Sequence, residues 1–544
     1  MVSESQIQQI IEKVMLNIQE SLNEQPEPAE KEPAAPKPAS SFNNLPGVVK
    51  SFAESMTANA VRQSAAPAAK PAAGPLPGIV KANRDMPSAP DAGPGIFATM
   101  EEAIRAAQIA YGELSKRTIK EREMYILAIK EMIRKEAEVF AKMGVEETGM
   151  GNFPDKVTKH LVVADLTPGT ADLATETFAG DAGVTLIEYS PYGVIGAITP
   201  STNPSETILC NTIGMLAAGN VVVFNPHPGA NRTSQHAVRK INEAVVSAGG
   251  PANIAVTVAQ PTLATSQQLF DHPQVKLLVG TGGPNLMQAM LKSGKKTICA
   301  GAGNPPVIVD ETANLEKAAR DILAGATLDN NLPCISEKAV IVVQDVADDL
   351  LYHFSKNGGY IAAKEEIRKL AELVLTAQKE QQAPGCVLPL HPREVGIKKE
   401  WVGKDVAKFL NALGVQDDGG IRCILCETDL DHPFVMEELM MPILPVVRVN
   451  SFTDAVEAAV KVEKGNRHSA HIHSNHIGRI TEFARRIQTT VFVANGPSFA
   501  SIGIEGEGFC TYTIAGPTGE GLTSARSFAR KRRFVLSGGG LNVK

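Results

Sequence analysis

From about residue 184 the chain alternates between two kinds of segment, and this alternation narrows the available folds more than any other feature. "GVIGAIT" (193–199), "VVVF" (221–224), "IAVTV" (254–258) and "VKLLVG" (275–280) are continuous runs rich in β-branched residues. Helical patterns such as "NPSETILCNTIGMLAAG" (203–219) separate them. Strands that are apolar on both faces must be covered on both faces, and intervening helices let successive strands lie parallel. A second set follows after about residue 301: "PPVIVD", "AVIVV", "CILCE" and "VVRV". The expected class is therefore α/β, with two parallel layers. Ahead of the first strand, residues 99–149 read as two long amphipathic helices. At 544 residues the chain is long enough for two or three domains. No repeat of fixed short period is apparent.

The first ninety-odd residues follow different rules. In "SESQIQQIIEKVMLNIQESL", Ile7, Ile10, Ile11, Val14, Met15, Ile18 and Leu22 recur at three- and four-residue steps, with Ser3 as an N-cap candidate. So short a helix is marginal alone in water, and its apolar stripe asks for a partner surface. The Pro/Ala-rich stretches 23–40 and 63–78 lack period and aromatics, and flank a short apolar island at 42–56. Two readings stay open: an address tag on a tether, or a terminal helix that packs on its own domain.

Charge and cysteine usage exclude several classes. A net charge of -6 offers no general basic field for nucleic acid. No run approaches the roughly 18 apolar residues of a spanning helix, and no secretory signal opens the chain, so no membrane partner is expected and the expected setting is the cytoplasm. Seven scattered cysteines (Cys210, Cys299, Cys334, Cys386, Cys423, Cys426 and Cys510) are odd in number and do not resemble a disulfide scaffold. Cys423 and Cys426 interrupt an apolar run and read as buried strand residues. His468, His471, His473 and His476 have no acidic or cysteine ligand within their cluster, so no metal is expected. The basic stretch "FARKRRFVLSGGG" reads as a solvated face or an anchor for acidic groups of a cofactor.

Three turns could carry chemistry. In "LLVGTGGPNLMQAM" a strand runs into Gly280-Thr281-Gly282-Gly283 and a helix opens at Pro284, an arrangement suited to phosphate but common in other roles. In "AITPSTNPSETILCN", Asn203 before Pro204 is either a helix cap or an amide donor to a developing oxyanion. In "DNNLPCISEK" a thiol, Cys334, sits in a turn just after a proline.

Together these stretches resemble the CoA-acylating aldehyde dehydrogenases, close to the propionaldehyde and acetaldehyde dehydrogenases of bacterial microcompartments. "NNLPCISEK" resembles the family's nucleophile motif, "TPSTNPSET" its oxyanion motif and "VGTGG" its cofactor turn. "EELMMPILPV" is similar to the superfamily's "EEIFGPVLPV", and "LTSARSFARKRRFVL" to the acylating group's ending. The resemblance implies an aldehyde dehydrogenase-like fold: two Rossmann-like α/β domains and a small oligomerisation arm, preceded by a disordered extension. Its expected divisions are a targeting helix over 1–22, a linker over 23–95, and a cofactor-binding domain over 96–300 with an arm strand near 185–192. A catalytic domain over 301–516 and a tail or oligomerisation segment over 517–544 follow.

The resemblance implies Cys334 as nucleophile, and Asn203 with the Cys334 backbone N–H as oxyanion donors. It implies Glu438 on the nicotinamide ribose, and Thr199, Pro200, Asn225, His227, Gly280, Thr281, Gly282 and Gly283 beside the cofactor. Ile335 and Phe499 are its candidate pocket walls. The implied cofactor is NAD, with NADP left open because the usual adenosine-ribose residues are replaced within "FNPHPGANRTS". Coenzyme A is the implied co-substrate, a two- or three-carbon aldehyde the substrate, and a homodimer or homotetramer the implied assembly. The N-terminal helix would bind shell proteins, which implies the lumen of a microcompartment.

One departure from the wider superfamily bears on the reaction. Hydrolytic members carry a glutamate base in an "ELGGK" segment; here the stretch is "TICAGAGNPPVIVD", with no carboxylate between Thr297 and Val309. Water needs a base before it attacks a thioester, whereas a thiol of pKa about 8.5 is already partly thiolate at neutral pH. The alternatives are hydrolytic oxidation to the free acid and a catalytically silent, tagged scaffold.

Overall fold

The computed structural model describes residues 93–377 and 395–538. The expected targeting helix, nearly all of the linker, and Cys386 lie outside the described residues.

Eight strands come first: β1 (Ile96–Phe97), β2 (Glu176–Gly180), β3 (Gly183–Pro191), β4 (Val194–Thr199), β5 (Val221–Pro226), β6 (Ala255–Val258), β7 (Val275–Thr281) and β8 (Lys296–Ala300). Six of them form a parallel sheet in the order β1-β6-β5-β4-β7-β8. Because β5 and β6 lie on one side of β4 and β7 and β8 on the other, the order reverses at β4. Next come β9 (Pro306–Val309), β10 (Ala339–Val343), β11 (Gly359–Ile361), β12 (Leu375–Ala377), β13 (Val395–Ile397), β14 (Cys423–Glu427), β15 (Ile443–Val449), β16 (Ser469–His473) and β17 (Val491–Ala494). They build a second parallel sheet, β11-β14-β15-β10-β9-β16-β17, with β12 and β13 as a separate antiparallel pair. The apolar runs read from the sequence are the inner strands of these two sheets, and their residues in β4, β5, β9 and β10 are almost wholly buried.

The helices α1 (Met100–Leu114) and α2 (Ile119–Thr148) are the two amphipathic segments expected before the first central strand. Each opens with a threonine–glutamate capping box, and α2 ends on Gly149 in the left-handed region at φ 64°. Four more helices matter for the site: α3 (Phe153–Leu166), α4 (Pro204–Ala217), α5 (Leu263–Asp271) and α6 (Pro284–Lys292). No described helix is long and apolar enough to cross a membrane.

The two sheets are not separate globules. One buried cluster takes in the strands of the first sheet together with Leu328, Ile335, Val491, Phe499 and Ile502 from the second half. The segment after 516, expected as a tail or oligomerisation segment, returns to the first layer. Thr518 Oγ1 accepts from the Cys299 N–H at 3.1 Å, and Ala525 and Phe528 are buried. A hairpin of β18 (Ile514–Ala515) and β19 (Gly521–Leu522) leads to β20 (Ala529–Ser537), which pairs antiparallel with β3. The three-stranded sheet β2-β3-β20 leaves Phe178, Phe534, Val535 and Leu536 exposed.

Candidate active site

The Cys334 turn begins where the helix over Leu315–Thr327 ends and the backbone takes three left-handed residues in succession, Asp329, Asn330 and Asn331, at φ 48°, 57° and 66°. Asp and Asn reach that region with less strain than other residues with side chains, which accounts for "DNN" at this point. Side chains then pin the turn. Asn331 Nδ2 donates to the carbonyls of Ala326 (2.8 Å) and Glu337 (3.0 Å). Lys338 Nζ donates to Asn331 O (2.6 Å), Asn331 Oδ1 (2.7 Å) and Pro333 O (3.2 Å). His471 Nε2 lies 2.9 Å from Ile335 O; facing a carbonyl, it is the ring nitrogen that holds the proton. Cys334 is thereby fixed just before β10, at the N-terminal edge of the second sheet. Among the described cysteines it alone is partly exposed; Cys210, Cys299, Cys423, Cys426 and Cys510 are buried.

Burial pushes the Cys334 thiol up to about 12, and the Glu438 carboxylate adds to the effect. Lys338 pulls the other way, but its own burial lowers it to about 8. A raised pKa means the thiolate becomes more abundant as pH rises. Iodoacetamide alkylation of Cys334 in the free enzyme should therefore speed up about tenfold per pH unit from pH 7 to 10, without a plateau. Glu438→Gln removes the adjacent negative charge and should raise the rate at any fixed pH in that range. A profile levelling off below pH 8, read from the mass of the Cys334 peptide, would contradict both expectations.

Asn203 occupies the N-cap position of α4 with Pro204 first in the helix, yet its side chain makes no capping hydrogen bond. Lys159 Nζ, reaching up from α3, donates to Asn203 Oδ1 instead. The same ammonium donates to Asp329 Oδ2 at 2.6 Å and lies 2.9 Å from Glu206 Oε1, an ion pair off the hydrogen-bonding direction. Lys156 Nζ adds a 3.0 Å bond to Asp329 Oδ2, and Asp329 Oδ1 accepts from the Asn152 N–H at 3.0 Å. These four ionic side chains are each at most 2% exposed, so they interact with little help from solvent. Burial alone would lower Lys159, but Asp329 and Glu206 outweigh it and hold its pKa above the ordinary lysine value. Burial would likewise raise Glu206, and Lys159 and Lys156 instead hold it well below the ordinary carboxylate range. Through Lys159 and Asp329, the Asn203 amide and the Cys334 turn share one ionic cluster.

The remaining candidates gather at the C-terminal edge of the first sheet. Strand register sets Ile198 beside both Asn225 and Gly280, and Thr199 beside Pro226. Thr199, Pro200, His227 and Gly280 to Gly283 thus surround the end of β4, where the strand order reverses; ligands of open α/β sheets collect at such points. Two features fit a dinucleotide there. Thr199 Oγ1 and Thr281 Oγ1 are buried without a partner, and a Cβ on Gly283 would meet nothing within 4 Å. Gly283 is the residue before α6, whose first N–H groups suit a phosphate.

Asn225 departs from the sequence reading. Its Nδ2 donates to Ser266 Oγ (2.8 Å) and Thr262 O (3.3 Å), and its Oδ1 accepts from Thr265 Oγ1 (2.7 Å). The side chain braces α5 against β5 and is not presented to a ligand. His227 is exposed, and its Nδ1 accepts from the Gly229 N–H at 3.0 Å; partial desolvation of the ring and then Lys399 keep it below the ordinary histidine value. Ile335 and Phe499 lie inside the apolar cluster joining the two halves, at 3% and 2% exposure.

The loop without a carboxylate passes close to the nucleophile turn: a Cβ on Gly303 would lie 2.9 Å from Cys334 O and from the His468 ring. The nearby carboxyl groups are Glu438, already noted, and Glu337. Glu337 is wholly buried, accepts from the Ser498 N–H at 2.8 Å, and is raised to about 8 by burial. Burial also lowers His468, His471 and His473 to about 4 each, while His476 caps the helix that follows it.

Lys156, Lys159 and Lys338 are absent from the sequence reading. A signal for the first two exists. In "FPDKVTKHLVVADL", Lys156, Lys159, His160, Val163 and Leu166 fall on one helical stripe, so two lysines and a histidine share a face with apolar residues.

The profile of the Aldehyde dehydrogenase family matches residues 96–367. The acetylating acetaldehyde dehydrogenase EutE of Escherichia coli is 45% identical over 455 residues, spanning 83% of this chain and 94% of that protein. Among solved structures, a propionaldehyde dehydrogenase from the fucose utilisation bacterial microcompartment of Clostridium phytofermentans is 51% identical. It superposes with a TM-score of 0.78 over 83% of this chain and 100% of that one. A Rhodopseudomonas palustris propionaldehyde dehydrogenase, solved with bound CoA and an acylated cysteine, is 48% identical, with a TM-score of 0.78 over 83% of this chain and 99% of that one. The chain belongs to the aldehyde dehydrogenase family, in its CoA-acylating group.

Proposed function

We propose that this enzyme oxidises a short aldehyde, propionaldehyde or acetaldehyde, with NAD and coenzyme A to the acyl-CoA. Its acyl group would pass through a thioester on Cys334. The observation that carries the reading is the loop beside Cys334: from Gly301 to Asn304 it offers no carboxylate to activate water. The acyl group therefore awaits an acceptor that needs little activation, and a thiol is such an acceptor.

In the proposed sequence the Cys334 thiolate attacks the carbonyl carbon, forming a C–S bond and an oxyanion. Asn203 Nδ2 and the Cys334 backbone N–H stabilise that charge as it develops. Collapse restores the carbonyl and expels the aldehydic hydrogen as hydride. Bound NAD supplies the hydride acceptor. Thr199, Thr281 and the Gly280–Gly283 turn would hold its phosphates, and Glu438 would meet the nicotinamide ribose. The CoA thiol then gives up its proton to solvent, attacks the acyl-Cys334 carbonyl and releases the Cys334 thiolate. Similarity to the microcompartment enzymes above supports placing the protein in such a shell, with residues 1–22 as its tag. The exposed arm β2-β3-β20 suits the joining of protomers into a dimer or tetramer.

The test is the product. Two- to four-carbon aldehydes supplied with NAD and CoA should give the matching acyl-CoA by mass spectrometry. The two- and three-carbon substrates should differ by about 10–200-fold at most in kcat/KM, since one methylene in a pocket gives no more. Free acid as the main product, or no CoA-dependent NADH, would overturn the proposal.

A further inference from the structure

We infer that Lys159 is the positioning residue of the oxyanion hole: its buried ammonium selects the orientation of the Asn203 amide and locks it to the nucleophile turn. This deepens the proposed function and rests on its assignment of Asn203.

The reasoning begins with the amide. An asparagine side chain is nearly symmetric in shape, and a half-turn about its last bond exchanges a donor for an acceptor. Only one orientation places Nδ2 where an oxyanion would need it. At the start of a helix the usual device is a cap, in which Oδ1 accepts from a main-chain N–H of the first turn. Asn203 makes no such bond although it occupies the capping position, so the helix leaves its orientation open.

Lys159 supplies what the cap does not. An ammonium has three protons and no lone pair, so the amide atom facing it must be the oxygen. The half-turned amide would set an N–H group against a positive charge. With Oδ1 drawn to Lys159, Nδ2 points away, and its contact with Thr202 Oγ1 is a long 3.4 Å. The same pull draws electron density toward Oδ1 and makes the Nδ2 protons better donors.

The ammonium is itself immobile. It is 1% exposed and held by Asp329 Oδ2 at 2.6 Å and by Glu206 at 2.9 Å. Asp329 starts the left-handed run that ends three residues before Cys334. Lys159 thus sets two distances together, that of the amide from the helix below it and that of the amide from the thiol turn. Lys156 reaches Asp329 Oδ2 at 3.0 Å and the Thr202 carbonyl at 3.3 Å, so it braces the backbone beside Asn203, whereas the amide oxygen itself is held by Lys159.

A double-mutant cycle tests this. Asn203→Ala should lower kcat by about 10²–10³-fold, the usual loss for one oxyanion donor. Lys159→Met should lower kcat by about 10–100-fold with little change in the KM for CoA, and leave the rate of iodoacetamide alkylation of Cys334 within about threefold. In the Asn203→Ala background, Lys159→Met should cost less than about threefold more, because its target is already gone. Should Lys159→Met fail to fold with two carboxylates left facing it, Lys159→Met combined with Glu206→Gln leaves the Lys156–Asp329 pair balanced and carries the same cycle. Multiplying losses would overturn the positioning role while leaving the oxyanion reading intact. Unchanged kcat in Asn203→Ala alone would remove the oxyanion reading and this inference with it.

Discussion

Cys334→Ala should abolish CoA-dependent NADH formation, a loss of at least about 10⁴-fold, while the protein still binds NAD and keeps its melting profile. The size of the loss follows from what the nucleophile does. Hydride leaves a carbon bearing a full oxyanion far more readily than it leaves a neutral aldehyde, and the C–S bond creates that oxyanion. No second thiol can stand in, because every other described cysteine is buried. Cys334→Ser should recover little, since a hydroxyl lacking a base is a weak nucleophile. Folding should survive the alanine: the turn is held by Asn331, Lys338 and His471, and none of these bonds uses the sulfur. Retained turnover above about 1% of wild type, with the substitution verified by mass, would remove Cys334 from the chemistry.

How far this site could be read in advance depended on how local its causes are. The inner strands were legible because β-branched residues recur without interruption wherever both faces are covered. The edge strands β11 and β17 were not, since "GYI" and "VFVA" are short and exist through pairing with β14 and β16. The three left-handed residues before Cys334 were written in the types Asp, Asn and Asn, although that cue alone does not say that they run consecutively.

Long-range partners were the hidden part. Lys159 acts on Asn203 and Asp329, 44 and 170 residues away along the chain. Nothing near Lys159 in the sequence indicates that an oxyanion amide will lie above it. Asn225 shows the converse: the resemblance implies a place beside the cofactor, and the side chains of Thr265 and Ser266 on an adjoining helix engage its amide. For Asn225 the resemblance implied a position on the fold but not an orientation, because orientation is decided by which polar group arrives opposite.

The second large effect concerns what happens when coenzyme A is withheld from the wild-type enzyme. NADH formation should show a burst of about one equivalent per Cys334 and then slow by about 10²–10⁴-fold relative to the complete assay, the range that a general base contributes when present. The burst arises because attack on the aldehyde and loss of hydride require only Cys334, its oxyanion donors and NAD. The slow phase arises because the acyl thioester must then wait for water. Around the sulfur, Glu337 is sealed against Ser498 and carries its proton at neutral pH, being raised to about 8. Glu438 is the carboxylate that remains within electrostatic reach of the thiol. It therefore provides the internal control: if it activated water weakly, Glu438→Gln would slow the residual phase further, and if it did not, that phase would stay unchanged. Adding CoA during the slow phase should restore full turnover at once, since its thiolate needs no such help. Linear turnover without CoA, yielding free acid at a rate near that of the full assay, would mean that water is activated at this site after all, and the chemistry would then be hydrolytic.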